Sequence, residues 1–197
     1  MKKTQKKVLV YPCGTEIGLE INKAIEYSTW FELWGGSSNY DHGRYVYKNH
    51  IDNLPFITDN SDENEILEFN KIIEPYNFDF IYPAMDGVLY KFSQYSKLFS
   101  STIVAPEFNT ARITRSKKLT YQYLNNEIAV PEIYKNISEI KNYPIFIKPD
   151  IGQGSRGAQK IDNERSLIYL SLSDEDQKTL QEMLAAFNSA KGSAKAK

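Results

Sequence analysis

The 197-residue chain carries 24 basic and 25 acidic side chains, a formal net charge of −1, with 41% hydrophobic and 25% charged residues. That length suffices for one large or two small domains with a buried core. The balanced charge gives no basic footprint for nucleic acid, and the single cysteine, Cys13, excludes an internal disulfide framework.

The opening MKKTQKK is basic, but the VLVYP that follows is too short for the apolar core of a signal peptide. No stretch approaches the length of a transmembrane helix. These features predict a cytoplasmic protein without a nucleic-acid or membrane partner.

In chain order, residues 7–12 (KVLVYP) read as a buried strand, and residues 16–27 as a helix with Ile17, Ile21, Ala24 and Ile25 on one face. Residues 31–34 (FELW) read as a second strand, stopped by Gly35 and Gly36. The polar run SSNYDHGRYVYKNHID, residues 37–52, reads as a loop with little regular structure, and a loop so placed helps choose a substrate. His42 and His50 within it show no metal-ligand spacing. Residues 62–74 read as a helix with Ile66, Leu67, Phe69, Ile72 and Ile73 toward the core, ended before Pro75. A strand at 78–83, a helix at 87–99 and a strand at 102–105 complete an alternation that predicts a parallel α/β sheet with right-handed crossovers.

The pattern changes after Pro106. A helical stretch, 109–126, breaks near Arg115 and Ser116; AVPEIY and YPIFIKP then read as strands, followed by the loop DIGQGSRG and a short strand, GAQKI. Ser173 to Asp176 read as a capping box opening a helix at 173–189, with Leu180, Met183, Leu184 and Phe187 on one side. The end of the chain, SAKGSAKAK, reads as disordered.

The glycine loop invites a phosphate reading. Gly152 and Gly157 have the spacing of a Walker loop, but Ala158 and Gln159 stand where Lys and Ser/Thr belong, and Lys148 precedes the glycines. Gly152, Gly154 and Gly157 also satisfy the dinucleotide pattern, yet a strand follows where a helix is required. A lysine on a strand beside a glycine-rich hairpin fits better: the lysine meets phosphates as a point charge, and the glycines bring backbone N–H groups close. A plain flexible hairpin with a surface lysine is the alternative.

Four segments, VLVYPCGTEIG, FDFIYPAMDGVL, TIVAPEFNTARITRSKKLTYQYLNNEIAVPE and YPIFIKPDIGQGSRGAQKI, together resemble the ATP-grasp superfamily over residues 7–170. They are most similar to the large subunit of carbamoyl phosphate synthase and to short carboxylate–amine ligases. The resemblance implies an α/β, Rossmann-like parallel-sheet pre-ATP-grasp domain at 1–108. It implies the start of an α+β ATP-grasp domain with its lid at 109–172, then a tail outside the family at 173–197. It implies that Lys117 and Lys148 contact ATP phosphates, with Ser116 standing where Asp is common. Gly152, Gly154, Ser155, Arg156 and Gly157 match the lid loop. Cys13, Gly14, Thr15 and Asp86, at carboxyl ends of strands, would border the substrate pocket.

Each has a plainer alternative. Lys117 beside Arg115 and Lys118 fits a solvated basic turn; Gly14 and Gly18 fit close helix–strand packing; Asp86 fits a helix N-cap; Cys13 fits a small buried apolar residue.

The family's Mg²⁺ ligands follow the lid, and no Glu-x-Asn motif can be placed after residue 172. ATP and Mg²⁺ are the expected cofactors, with no metal ligand in this chain and no catalytic residue assigned. Phosphoryl transfer depends on positioned metal and charge, so an incomplete carboxylate–amine ligase, inactive alone, is expected. Its substrates would be a small carboxylate and an amine, and a homodimer or a partner chain would supply the missing half. A non-catalytic nucleotide- or metabolite-binding module, half of a split enzyme, or another sugar- or nucleotide-binding α/β protein sharing only the sheet are the alternatives.

Overall fold

The computed structural model describes residues 5–152 and 154–171. Five parallel strands form one sheet in the order β3-β2-β1-β4-β5. They are β1 (Lys6–Tyr11), β2 (Phe31–Gly36), β3 (Asn49–Ile51), β4 (Phe80–Pro83) and β5 (Thr102–Ile103). Helices α1 (Glu16–Ile25), α2 (Gly43–Val46), α3 (Glu63–Ile73), α4 (Asp86–Gln94), α5 (Phe108–Arg115) and α6 (Lys117–Leu124) connect and follow them.

β1 is central because both of its faces are apolar. Leu9 and Tyr11 point into one cluster with Ile66 and Phe69 of α3 and Val88 and Phe92 of α4. Val8 and Val10 point into the other, with Cys13 and Tyr47. This is the two-residue period of a strand buried on both sides. Three aromatic rings lock the first cluster: Phe69 lies 4.8 Å from Tyr11 and 4.9 Å from Phe92, ring centre to ring centre. The Tyr11 hydroxyl donates to Pro55 O at 2.6 Å, so the buried phenol has a partner.

α3 starts at a full capping box, with the Asp62 side chain accepting from Glu65 N–H and the Glu65 side chain accepting from Asp62 N–H. The expected core face of α3 is correct at Ile66, Phe69 and Ile73 but not at Leu67, which is 44% exposed. In α1, Gly18 and Asn22 are the buried residues, whereas Ile17 is 49% exposed. Gly18 lets α1 approach the sheet closely, and Ile21 of the expected face packs on the second cluster. α3 ends at Ile73, before Pro75 as expected, and a 3₁₀ turn, Glu74–Tyr76, follows it; proline at an early helical position loses no bond.

The run 37–52 is not structureless. It contains α2 and β3, which pairs in parallel with β2 from Trp34 with Asn49 to Gly36 with Ile51. The segment 129–134, expected as a strand, forms none.

The chain divides into two compact units after Val130. The change of pattern at residue 109 falls inside the first unit, where α5 packs on α4 and α6 on α5. In the second unit, β6 (Ile145–Ile147) and β7 (Gln159–Ile161) form an antiparallel hairpin with Ile145 opposite Ile161. α7 (Glu164–Ser171) follows and packs on β7. The capping box at 173–176 and the helix at 173–189 lie outside the described residues. Among the described residues, no helix is long and apolar enough to cross a membrane.

Candidate functional site

The strand order reverses between β1 and β4, so the loops leaving their carboxyl ends diverge there and open a crevice, the usual ligand position in open parallel sheets. Cys13, Gly14 and Thr15 leave β1 at this point, and Asp86 stands just after β4. The Thr15 hydroxyl caps α1 by accepting from Gly18 N–H at 3.0 Å and reaches Ala84 O at 2.9 Å, holding the two loops together. Asp86 is the first residue of α4, after Met85 at the N-cap. Its carboxylate lies 3.5 Å from the Arg115 guanidinium.

Arg115 is a residue the sequence pattern did not single out for the site. It ends α5 and grips Asp59 at both oxygens, 2.9 and 2.6 Å, with its side chain 11% exposed. The hydrogen bonds it donates to Asp59 hold the guanidinium above its usual range. The pair ties the loop before α3 to α5 at the β4 side of the crevice.

The other side of the crevice is a polar network around Ser37, just past the end of β2. The Ser37 hydroxyl donates to Asp41 Oδ2 at 2.9 Å, and it lies 3.2 Å from Cys13 Sγ and 3.2 Å from His50 Nε2. Asp41 is fixed by Gly43 N–H, which donates to Oδ1 at 2.8 Å. Burial pushes the Cys13 thiol up to about 11, against the opposing hydrogen bond with Ser37. Burial, and next the nearby Cys13, raise the Tyr47 phenol too. Tyr47 donates to Gly18 O, bridging α2 to α1. Ser37, Asp41 and His50 escaped residue-by-residue reading because they converge only when β3 pairs with β2. The signal that points to them is positional: a polar run directly after the carboxyl end of a parallel strand.

Lys117 opens α6, whose N-cap Ser116 accepts from Leu119 N–H at 3.0 Å. It lies in the first unit. Lys148 follows β6 in the second unit, with Gly152, Gly154, Ser155, Arg156 and Gly157 in the loop between β6 and β7. Gly154, Ser155 and Gly157 all have positive φ, 62°, 56° and 71°. A side chain on Gly154 would meet nothing within 4 Å. Lys148 and this turn form one exposed hairpin end, and β7, not a helix, follows it, as the sequence predicted. A cationic side chain beside a glycine-rich, left-handed backbone turn fits a polyphosphate by its chemistry. A groove of about 700 Å³ also runs beside β5, lined by Tyr95, Leu98, Ile103, Pro106 and Phe108. It holds none of the expected site residues.

The fold, a five-stranded parallel sheet with helices, matches that of the N-terminal α/β domain of solved ATP-grasp enzymes. No protein-family model and no curated protein sequence matches the chain. Solved structures that resemble it include the following three. N5-carboxyaminoimidazole ribonucleotide synthetase from Thermotoga maritima has a TM-score of 0.61 at 18% identity, over 86% of this chain and 44% of that one. Pyruvate carboxylase from Rhizobium etli has a TM-score of 0.60 at 16% identity, over 83% of this chain and 16% of that one. L-amino acid ligase from Bacillus licheniformis has a TM-score of 0.55 at 14% identity, over 94% of this chain and 42% of that one. At such identities the likeness establishes the fold, and this chain spans less than half the length of each of these proteins.

Proposed function

We propose that these residues form the substrate-side domain and the first phosphate-binding elements of an ATP-dependent carboxylate–amine ligase of the carbamoyl phosphate synthase type. The observation that carries the reading is the order of parts: a parallel domain with its switch point between β1 and β4, then β6, with Lys148 just past its end, and the glycine hairpin. ATP would supply the phosphoryl group that activates a carboxylate. Lys148 and Lys117 would offset phosphate charge, the turn at 152–157 would donate backbone N–H groups, and the crevice bordered by Cys13, Gly14, Thr15 and Asp86 would hold the small substrate. Mg²⁺ ligands are proposed to come from residues other than these, so this chain alone binds nucleotide without turning it over, in the cytoplasm, as part of a homodimer or with a partner chain.

The test is ADP release by the 197-residue chain with Mg²⁺, ATP, a panel of small carboxylates and an amine. The expected result is none above buffer. Release that Lys148→Ala abolishes would overturn the proposed inactivity and still support the ligase class. Release unaffected by Lys148→Ala and Lys117→Ala would count against both.

A further inference from the structure

The network beside the crevice has a donor set of which the ligase reading uses only Cys13, as a border of the substrate crevice. Cys13 Sγ, an Asp41 oxygen and a His50 ring nitrogen lie within 4.8 Å of one another. They come from the loops after β1 and β2 and from β3. We infer that Cys13, Asp41 and His50 form a binding site for one divalent transition-metal ion of the zinc type.

The contacts of His50 suit a cation at Nε2. The Ser37 hydroxyl has one hydrogen, and Asp41 Oδ2, a carboxylate oxygen 2.9 Å away, can only accept it. His50 Nε2, 3.2 Å from the same hydroxyl, must therefore carry hydrogen toward Ser37. In a neutral imidazole that leaves Nδ1 bare. Nδ1 is buried without a hydrogen-bond partner, on a side chain 9% exposed, and faces Asp52 Oδ1 at 3.3 Å. Two electron-rich atoms then oppose each other. A metal ion on Nε2 reverses this: the ring proton moves to Nδ1 and points at Asp52, the carboxylate–imidazole–metal arrangement that orients ligand histidines.

The donors suit that class of ion. One thiolate, one imidazole and one carboxylate form a mixed S/N/O set, which favours zinc-like ions over Mg²⁺ or Ca²⁺. The neighbours are built for close approach. A side chain on Gly43 would run into Cys13 Sγ, while Gly43 N–H fixes the far oxygen of Asp41 at 2.8 Å. Arg44 in turn pairs with Asp52. In a tetrahedral site donor atoms lie about 3.3–3.7 Å apart, as bond lengths of ~2.0–2.3 Å require. The widest edge here, at most 4.8 Å, must close by about 1.1–1.5 Å. In the ion-free chain the Ser37 hydroxyl is the hub of the three donors, and the ion takes over that role. Coordination takes the thiolate and displaces the thiol proton: Cys–SH plus M²⁺ gives Cys–S–M⁺ plus H⁺.

Cobalt titration of the whole chain, freed of metal by a chelator and kept reduced, tests this directly. Cys13 is the only cysteine, so any thiolate-to-cobalt charge-transfer band in the near ultraviolet reports this site. The expected result is a band saturating at one ion per chain, bleached by one equivalent of zinc, with about one proton released. Cys13→Ser should abolish the band. Asp52→Asn should weaken binding by about 10–100-fold, and His50→Gln by at least as much. His42→Gln, at the only other histidine, should change nothing. Wild-type chain that shows no band at a tenfold excess of cobalt overturns the proposal. A band that survives in folded His50→Gln at unchanged affinity overturns it as well.

Discussion

Removing either partner of the Arg115–Asp59 pair should destabilise the first unit, and the two losses should not add. The guanidinium makes two charge-assisted bonds, 2.9 and 2.6 Å long, from a side chain 11% exposed, to a carboxylate 33% exposed. Breaking a fully buried pair costs about 3–5 kcal/mol, whereas an exposed pair contributes about 0–1 kcal/mol. Asp59 can regain water when Arg115 is lost, so the coupling energy falls between these limits, at about 1–3 kcal/mol. The assay is urea unfolding of Arg115→Met, Asp59→Asn and the double variant, treated as a cycle. Both tryptophans, Trp30 and Trp34, lie in the first unit, so their fluorescence follows the relevant transition. The denaturant slope should stay constant while the midpoint falls. A coupling energy under about 1 kcal/mol, the range of exposed pairs, would refute the argument that this pair fastens the β4 side of the crevice.

Gly18→Ala sets helix propensity against packing. Alanine favours the helix by about 1 kcal/mol, but its Cβ would lie 2.8 Å from the carbonyl carbon and 2.9 Å from the Cα of Cys13. Backbone on both sides cannot swing away, and overpacking costs about 1–3 kcal/mol; a lower melting temperature is expected, and an unchanged or higher one contradicts the packing account. Asp79 is held below the usual carboxylate range by hydrogen bonds from Lys6 Nζ and Lys7 N–H. A folded pKa below the unfolded one gives stability present above about pH 4 and lost as pH falls through the folded value. Asp79→Asn should therefore flatten the acid limb of a stability–pH curve, and parallel limbs would contradict it. In the metal-free chain, Cys13 is fully buried with its thiol pushed up to about 11. A thiol reagent at pH 8 should modify it only on unfolding, and rapid labelling of folded chain would contradict that.

The parallel sheet was legible because strands such as VLVY and FIYP are continuous apolar runs, the mark of burial on both faces. The glycine hairpin was legible too, because GAQKI could be read as a strand and so ruled out both helix-bound phosphate loops. β3 was not. Its three residues, Asn-His-Ile, sit in a polar run, and pairing with β2 rather than local propensity makes them a strand. With β3 hidden, the meeting of Cys13, Ser37, Asp41 and His50 was hidden as well, since it depends on which strand lies beside which. The failure of AVPEIY as a strand has a simpler cause: Pro131 cannot donate to a ladder, and Ile133 is 43% exposed, so no face demanded burial.

The central claim is that Lys148 and its glycine hairpin grip the phosphates of ATP. Titration calorimetry of ATP into the 197-residue chain, with and without Mg²⁺ and beside Lys148→Ala, tests it most directly. The account predicts one ATP bound per chain and at least a tenfold loss of affinity in folded Lys148→Ala. Binding that the substitution leaves unchanged, or no binding to the wild-type chain, would contradict it.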